Sequence, residues 1–377
     1  MQATVEPIRD FKIDLTATQN YSSREEYYYK YLSQWDAVEG PLSYIMTGAY
    51  TTTAWTFRTA FLDRDELFNT FLANRHVVAD RLAAANADPY SSNQVLDTMI
   101  GEYFPAGYSA NSQTVLLTSF LATYLGDNPA TRSFSPFMKF PLPNWNINYN
   151  GLSKVQFLKK WFTSITLSHR YTSTYSISNF YTDAAVSDAK NYDYGSEYII
   201  NSTGDYIAPL STGGVQITEQ FNPLIKVNVN MVNSFQFNFS IQKNRTRALS
   251  FSNNQLTETT RDGITFGAGY RIKDVAFQLK IGEKPYDLKS DLVLNFNLTY
   301  NSNKTNIRKI NGYNPLYDHG QVSSGSEVWM AEISAEYSLT QTLTLRAFFQ
   351  TNINTPYISN AYPNSTTKGG LTIRFSF

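Results

Sequence analysis

The chain has 377 residues, with 31 basic and 31 acidic side chains and no cysteine. The balanced charge does not call for nucleic acid or an anionic membrane surface as a partner. The lack of cysteine excludes a disulfide framework, thiolate catalysis and cysteine-based zinc sites.

Charged residues make up only 16% of the chain and aromatic residues 15%, while the mean hydropathy is −0.34. No stretch approaches the roughly 18 apolar residues of a membrane-spanning helix. Low charge, many aromatic residues and modest hydropathy are together typical of a membrane β-barrel, in which half of each strand faces lipid and half faces water.

The first predicted elements, in chain order, are two strands within residues 1–62. In residues 10–22, Phe11, Ile13 and Leu15 alternate with polar neighbours, which is the two-residue period of a strand. Residues 43–61 are strand-like with less regular alternation. We interpret residues 1–62 as barrel strands.

Residues 63–140 differ from the rest of the chain, because two segments have helical spacing. Residues 63–85 place Leu67, Phe71, Val78 and Leu82 on one helix face, and the acidic residues at their start suit a helix N-terminus. A second helix is predicted at 113–125, ended by Gly126. We therefore predict a mostly helical segment inserted between strands.

Residues 141–377 are predicted as antiparallel strands that run to the C-terminus. Nine alternating segments carry this prediction: 141–153, 163–180, 213–231, 234–250, 262–278, 291–308, 326–339, 342–356 and 369–377. Phe348 interrupts an otherwise polar face. The apolar face is assigned to lipid through Phe237, Phe296 and Ile333, and the polar face to the lumen through Asn238, Asn295 and Glu332. The predicted fold is thus all-β, an antiparallel transmembrane β-barrel or the C-terminal portion of a very large one.

The last strand carries the one predicted site. Its apolar residues end on a terminal phenylalanine, and together they are interpreted as the insertion signal of a barrel C-terminus: Leu371, Ile373, Phe375 and Phe377. The joins between strands alternate between shorter ones, at 154–162, 232–234, 280–290 and 339–342, and longer polar ones, at 181–212, 250–261, 308–325 and 357–368. Short periplasmic turns and long outer loops alternate in this way in bacterial outer-membrane barrels.

The eleven predicted strands are an odd number, whereas complete bacterial single-chain barrels have even numbers. Either 63–140 hides a strand, or 43–61 is not a spanning strand, or upstream sequence completes the barrel. The first residues also lack the basic and apolar regions of a signal peptide. Either the chain is not exported, or its true N-terminus lies upstream. If upstream sequence completes the barrel, the strand near Phe11–Ala17 lacks its upstream neighbour in this chain.

No catalytic motif is present: the chain has no GxSxG, HExxH, P-loop or EF-hand sequence. The glycines in Gly-Ala-Gly-Tyr at 267–270 are interpreted as small lumen-facing residues. His76, His169 and His319 lack metal-ligand spacing, and His169 is read as an interfacial residue. The phenylalanines at 235, 237 and 239 fit lipid contact better than base or sugar stacking. We therefore predict no enzyme activity, no cofactor and no metal.

Six segments carry a resemblance to a known family: FLANR (71–75), FPLPNWNINYNGLSK (140–154), LSHRYTSTYSISNF (167–180), FSNNQLTE (251–258), GAGYRIKDV (267–275) and the closing LTIRFSF. They resemble the C-terminal part of the SprA/Sov family, the outer-membrane translocons of the Bacteroidetes type IX secretion system. The resemblance extends through almost the whole chain and is most specific at 140–180. Members of this family are several times longer than this chain.

The resemblance implies protein export through a very wide outer-membrane barrel with a lateral opening. It implies folded cargo, including gliding-motility adhesins, and accessory barrel or plug proteins as partners, together with outer-membrane lipid. It implies location in the cell outer membrane of a Bacteroidetes-type Gram-negative bacterium. The alternatives are a small self-contained porin-like channel, and a surface adhesin or soluble β-protein. With the C-terminus in the periplasm, counting strands backwards puts 63–140 on the extracellular side.

Overall fold

The computed structural model describes residues 1–28, 43–98, 100–183, 185–186, 199–281, 284–310, 320–340 and 342–375. His319 and Phe377 lie outside these residues, as do parts of the predicted joins at 181–212 and 308–325.

Sixteen strands and two α-helices make up the regular structure of the described residues. The strands are β1 (Gln2–Ile8), β2 (Phe11–Thr16), β3 (Gln19–Tyr28), β4 (Ser43–Thr53), β5 (Gln94–Asp97), β6 (Glu102–Pro105), β7 (Asn144–Tyr149), β8 (Phe162–Tyr181), β9 (Ser211–Thr212), β10 (Gly214–Met231), β11 (Phe235–Ser250), β12 (Gln255–Ile281), β13 (Lys284–Lys309), β14 (Gln321–Ser338), β15 (Leu343–Pro356) and β16 (Asn364–Phe375). The helices are α1 (Arg64–Ala85) and α2 (Gln113–Leu125).

One antiparallel sheet of 14 strands dominates the structure, and β5 and β6 form a separate hairpin. Its main order is β1-β2-β7-β8-β10-β11-β12-β13-β14-β15-β16. At 20 residues, β8 is long enough to have two neighbours on one side. Its first half pairs with β7 and its second half with β4, which in turn pairs with β3. The all-β antiparallel class is confirmed.

Within the described residues, this sheet is open and does not close into a barrel. β16 is the outer strand on one side, while β1 and β3 are outer strands on the other. The strand near Phe11–Ala17 was predicted to be the free edge, and this is wrong: β2 pairs with β1 on one side and with β7 on the other.

The predicted count of eleven strands is also wrong. The segment 10–22 is divided between β2 and β3, β4 ends at Thr53, and the hairpin β5–β6 was hidden in the helical segment. The join predicted at 250–261 is only the four residues between β11 and β12, and β13 begins at Lys284. These strands extend beyond their apolar stretches into mostly polar residues, and a mostly polar strand end has too little periodicity to separate it from a loop.

Both predicted helices are confirmed, at Arg64–Ala85 and Gln113–Leu125. The side chain of Asp63 accepts hydrogen bonds from the backbone N–H groups of Asp65 and Glu66, which caps the start of α1. Gly126 ends α2 in the left-handed conformation, with φ 74°, where glycine has no steric penalty. No helix of the described residues combines the length and the apolar composition needed to cross a membrane.

The core lies between the two helices and one end of the large sheet. Helix α2 is buried on almost all sides, as expected of a helix that is apolar all round. Phe71, Phe120 and Tyr124 from the helices share one cluster with residues from the ends of five strands. These strand residues are Tyr50, Tyr175, Ile177, Val215, Ile217, Leu249 and Leu256. The helices therefore cover one face of the sheet at one end only.

Candidate functional site: an apolar band beside a helical cap

The apolar residues of β8 to β16 form a continuous band on one face of the sheet, because the strand register places them side by side. The central row consists of residues paired strand to strand: Ile165, Val229, Phe237, Ala268, Phe296, Ile333, Phe349 and Gly369. The next row towards the helices is Leu167, Val227, Phe239, Phe266, Leu298, Ala331, Thr351 and Thr367.

Further rows border the band. The row nearest the helices is Ile225, Ile241, Ile264, Tyr300, Trp329, Ile353 and Ser365. The row farthest from them is Ile272, Leu292, Tyr337, Leu345 and Ile373. Because strand residues rise about 3.4 Å each, the strand from Ile264 to Ile272 is about 27 Å long.

Much of this band is exposed, although Ile165 at its β8 end is buried. Ile333 is 57% exposed and Phe349 is 55% exposed, although both lie in the central rows of a large sheet. Monomeric soluble proteins rarely expose a contiguous apolar surface larger than a few hundred Å². The band is therefore a candidate contact surface for a membrane or another protein.

The opposite face of the same strands is polar, with hydrogen bonds between neighbouring strands. The Ser168 hydroxyl donates to Asn148 Oδ1 at 2.8 Å. Arg346 forms ion pairs with both Glu332 and Glu336. Gly267 lies on this face, where a Cβ atom would come within 2.2 Å of the Asn238 amide. The interpretation of the Gly-Ala-Gly-Tyr glycines as small residues on the polar face fits this position.

Phe348, the predicted irregularity of the polar face, has a packing role. A Cβ atom built on Gly370 would lie 3.2 Å from the Phe348 ring, so the ring covers a glycine of the outer strand β16. An aromatic ring that covers a glycine on a neighbouring edge strand compensates for the missing side chain.

The face of the sheet that carries the apolar band becomes charged at the end where the helices cover it. Arg247 Nε donates to Glu258 Oε1 at 3.1 Å, and both side chains are buried. The Arg247 guanidinium lies 4.6 Å from the centre of the Tyr124 ring of α2. Arg308 pairs with Asp65 of α1. These contacts attach the helices to the sheet through charge as well as through apolar packing.

Two further contacts complete this buried charged cluster. Glu219 accepts a 2.6 Å hydrogen bond from the Thr56 hydroxyl, and its other oxygen lies 3.9 Å from Arg245 Nε. Arg245 donates to the carbonyl of Ala60. Among the described residues, neither terminal nitrogen of the Arg247 guanidinium group has a hydrogen-bond partner, so the pairing in this part of the cluster is incomplete.

Helix α1 also contains a buried cation of its own. Arg75 is 3% exposed and donates to the carbonyls of Leu72 and Ala110. Burial lowers the pKa of Arg75 to about 10, while the negative charges of Glu102 and Asp97 oppose the shift. At neutral pH Arg75 therefore stays charged and ties the helix to the segment before α2.

The described histidines do not converge on a metal site. His169 lies among the aromatic residues on the band side, 6.3 Å from Trp145 between ring centres, with Nδ1 2.6 Å from the carbonyl oxygen of Leu224. His76 contacts Glu102 at 2.7 Å, a partner that sequence spacing did not reveal. Within the described residues, no group of three or more potential metal ligands is present.

The predicted insertion-signal residues lie on the outer strand. Leu371, Ile373 and Phe375 are 74%, 60% and 62% exposed, on the band side of β16, while Phe377 lies outside the described residues. The band narrows towards this strand, because Thr367 pairs with Thr351 and Ser365 replaces an apolar residue opposite Ile353.

The segments with the most specific family resemblance meet in the sheet, since β7 within 140–154 pairs with the first half of β8 within 167–180. No protein-family model matches this chain, and a search of curated proteins finds no match.

The buried charged cluster is the feature that sequence reasoning missed. Arg245 and Arg247 continue the alternation of Phe235, Phe237 and Phe239 on the same face of β11. The sequence did contain a signal for this cluster: a row of apolar residues followed by basic residues on the same face of one strand. It predicts that another element covers the strand end, but it does not predict which one.

We expect the buried pair Arg247–Glu258 to show strong coupling in a double-mutant cycle. Glu258→Leu and Arg247→Met each leave the other charge buried without its partner, and each should lower the free energy of unfolding by about 3–5 kcal/mol. Replacing both residues with apolar ones (R247M with E258L) should cost far less, because no unpaired charge remains. Denaturant unfolding of the single and double variants measures both effects.

Arg261→Met, on the opposite and exposed face of β12, is the matched control and should change stability by less than about 0.5 kcal/mol. A double variant as unstable as the sum of the two single variants would show that the pair is not coupled.

Proposed function

We propose that this chain is a component of an outer-membrane protein-export translocon, in which its sheet forms part of the wall of a wide, polar-lumen pore. The observation that carries the proposal is the in-register apolar band on one face of an open antiparallel sheet whose other face is polar. The chain acts as a conduit for folded cargo and not as a catalyst. The resemblance of 140–180 to the SprA/Sov translocons supports the type IX system as its setting.

The geometry of the band supports contact with a bilayer. Transmembrane barrels carry an apolar band about 25 Å tall with aromatic residues at its borders, and the band from Ile264 to Ile272 is of comparable length. Tyr300 and Trp329 lie at its border, 4.7 Å apart between ring centres. Such rings place an apolar body at the membrane interface with a polar end towards water.

The polar face supports a hydrated lumen. Amides, hydroxyls and paired charges such as Glu332 with Arg346 dominate it. Because this surface carries little net charge, it binds no passing protein strongly. Passage through it needs an energy source other than this chain, which carries no nucleotide-binding motif.

The open sheet favours a large pore over a small self-contained one. A porin-like channel requires the outer strands to pair with each other, and within the described residues β1 and β16 do not. Unpaired backbone groups in lipid cost several kcal/mol each, so we infer that strands from outside this sheet complete the wall.

The position of the helices refines the proposal. They cover the band side of the strand ends, not the polar face, so we do not propose that they close the lumen. They lie at the end of the sheet opposite Phe375, because Val215 and Leu249 contact them while Phe375 pairs with Leu343 at the other end. With the chain end in the periplasm, the helices are extracellular.

The assignment of the two faces predicts different responses to the same substitution. Phe296→Arg puts a charge in the middle of the band and should cost about 2–4 kcal/mol in a bilayer, whereas Asn295→Arg puts it in water. We expect the first variant to assemble poorly and the second normally, as measured by outer-membrane yield. Equal yields of both variants would show that the band does not face lipid.

The sidedness of the helices can be tested by cysteine labelling, since the chain has no natural cysteine. Ala87→Cys beyond α1 should react with a membrane-impermeant maleimide on intact cells. Val232→Cys, in the turn between β10 and β11 at the opposite end, should react only after the outer membrane is permeabilised. The reverse pattern would contradict the extracellular position of the helices.

Export of protein can be distinguished from passage of small solutes by photo-crosslinking. A photoreactive amino acid at Asn238, on the polar face, should form adducts with secreted protein in cells that are exporting it. The same residue at Phe237, next in sequence but in the band, is the control and should form none. A channel for small solutes predicts no protein adduct at either position, which would overturn the translocon proposal.

A further inference from the structure

A cleft of about 380 Å³ lies where the apolar band meets the start of α1. Its floor is formed by β11 and β12, and its roof by residues 61–64. Lys243 lies on the floor of the cleft. It is two residues beyond Ile241, which belongs to the row of the band nearest the helices, and it lies on the same face of β11. The cleft therefore opens at the edge of the band, on the side where lipid lies in the proposed function.

Three cationic side chains line this cleft: Arg64, Lys243 and Arg245. The charge of Arg245 is balanced by Glu219, 3.9 Å away. Neither Arg64 nor Lys243 forms an ion pair with another residue in the described part of the chain. Two cations at the border of an apolar band thus have no ion pair among the described residues.

Two carboxylates also line the cleft, and they limit which anions fit. Asp63 is engaged by the backbone N–H groups that it caps at the start of α1. Asp262 is exposed on the floor, across from Lys243 in the strand pairing. An anion that binds here must approach from the side of Arg64 and Lys243.

The roof of the cleft is unusually apolar for an exposed segment. Phe61 is 64% exposed and Leu62 52% exposed. The Phe61 ring lies 5.6 Å from that of Phe221, and Lys243 Nζ lies 5.3 Å from the Phe61 ring centre. Apolar and cationic groups side by side match a ligand that has both an apolar and an anionic part.

We propose that this cleft binds the phosphate of an anionic lipid headgroup, with the acyl chains of that lipid lying on the apolar band. The proposal rests on the proposed function, since it requires the band to face a bilayer. Arg64 and Lys243 contact the phosphate, and Phe61 and Leu62 enter the interface beside the upper acyl carbons. The bound lipid links the start of α1 to the sheet at the membrane surface.

The test uses the full chain in non-ionic detergent micelles, titrated separately with phosphatidylglycerol, phosphatidylcholine and inorganic phosphate, with bound ligand counted by native mass spectrometry. We expect phosphatidylglycerol to bind most tightly. Because each cation near a membrane surface contributes about a five-fold factor in affinity for anionic lipid, Arg64→Gln with Lys243→Gln should weaken binding about 25-fold. Lys226→Gln, which removes one charge from the opposite face, should leave it unchanged.

Equal affinity of the double variant and the natural chain would overturn the proposal, as would equal binding of the two lipids. Binding of inorganic phosphate as tight as that of phosphatidylglycerol would overturn it in favour of a free-anion site. Flotation of the chain with liposomes separates this result from the larger proposal. A chain that does not float contradicts the membrane assignment itself, whereas a chain that floats without lipid preference contradicts only the cleft.

Discussion

The pairing register between neighbouring strands is the constraint on which the rest of this structure depends. Side chains alternate between the faces of a strand, so a slip of one residue would move a whole apolar set to the other face. From β8 to β16 the register keeps Phe237, Phe296 and Ile333 in one row. The same register sets Arg247 beside Glu258 further along β11 and β12. The band and the attachment of the helices therefore depend on the same alignment.

The face of the sheet that carries the apolar band is buried at one end and exposed over most of its remaining length. At one end α1 and α2 bury it, with Phe71 and Phe120 fully inside the core. Beside the helices, Trp55 and Ala60 cover this face at Tyr171 and Phe221, while over β11 to β16 residues such as Ile333 stay exposed. The change in composition from charged pairs under the helices to mostly apolar rows in the band marks the boundary. In the proposed function this boundary is the membrane surface, and the cleft at Arg64 and Lys243 lies on it.

The unpaired outer strands of the sheet are the reason for proposing a wide pore, because further strands must complete its wall. A strand in lipid needs partners for its N–H and C=O groups on both sides, and β1 and β16 each have a partner on one side only within the described residues. The central strand β8 shows that the sheet accommodates branching, because β4 and β7 share one of its sides. A wall with unpaired edges and a branched centre is suited to a larger assembly rather than to a minimal channel.

The sequence by itself determined the all-β class, the alternation of faces and both helices, because each depends on local periodicity that neighbouring residues reveal. It did not determine where β12 begins, since Gln255 to Thr260 are polar except for Leu256 and are held extended by pairing with β11 and β13. It also did not reveal β1 or the partner of Arg247. The open edges, the face that the helices cover and the cleft at Lys243 were decided by tertiary structure alone, because each joins residues far apart in the chain through contacts that leave no local pattern.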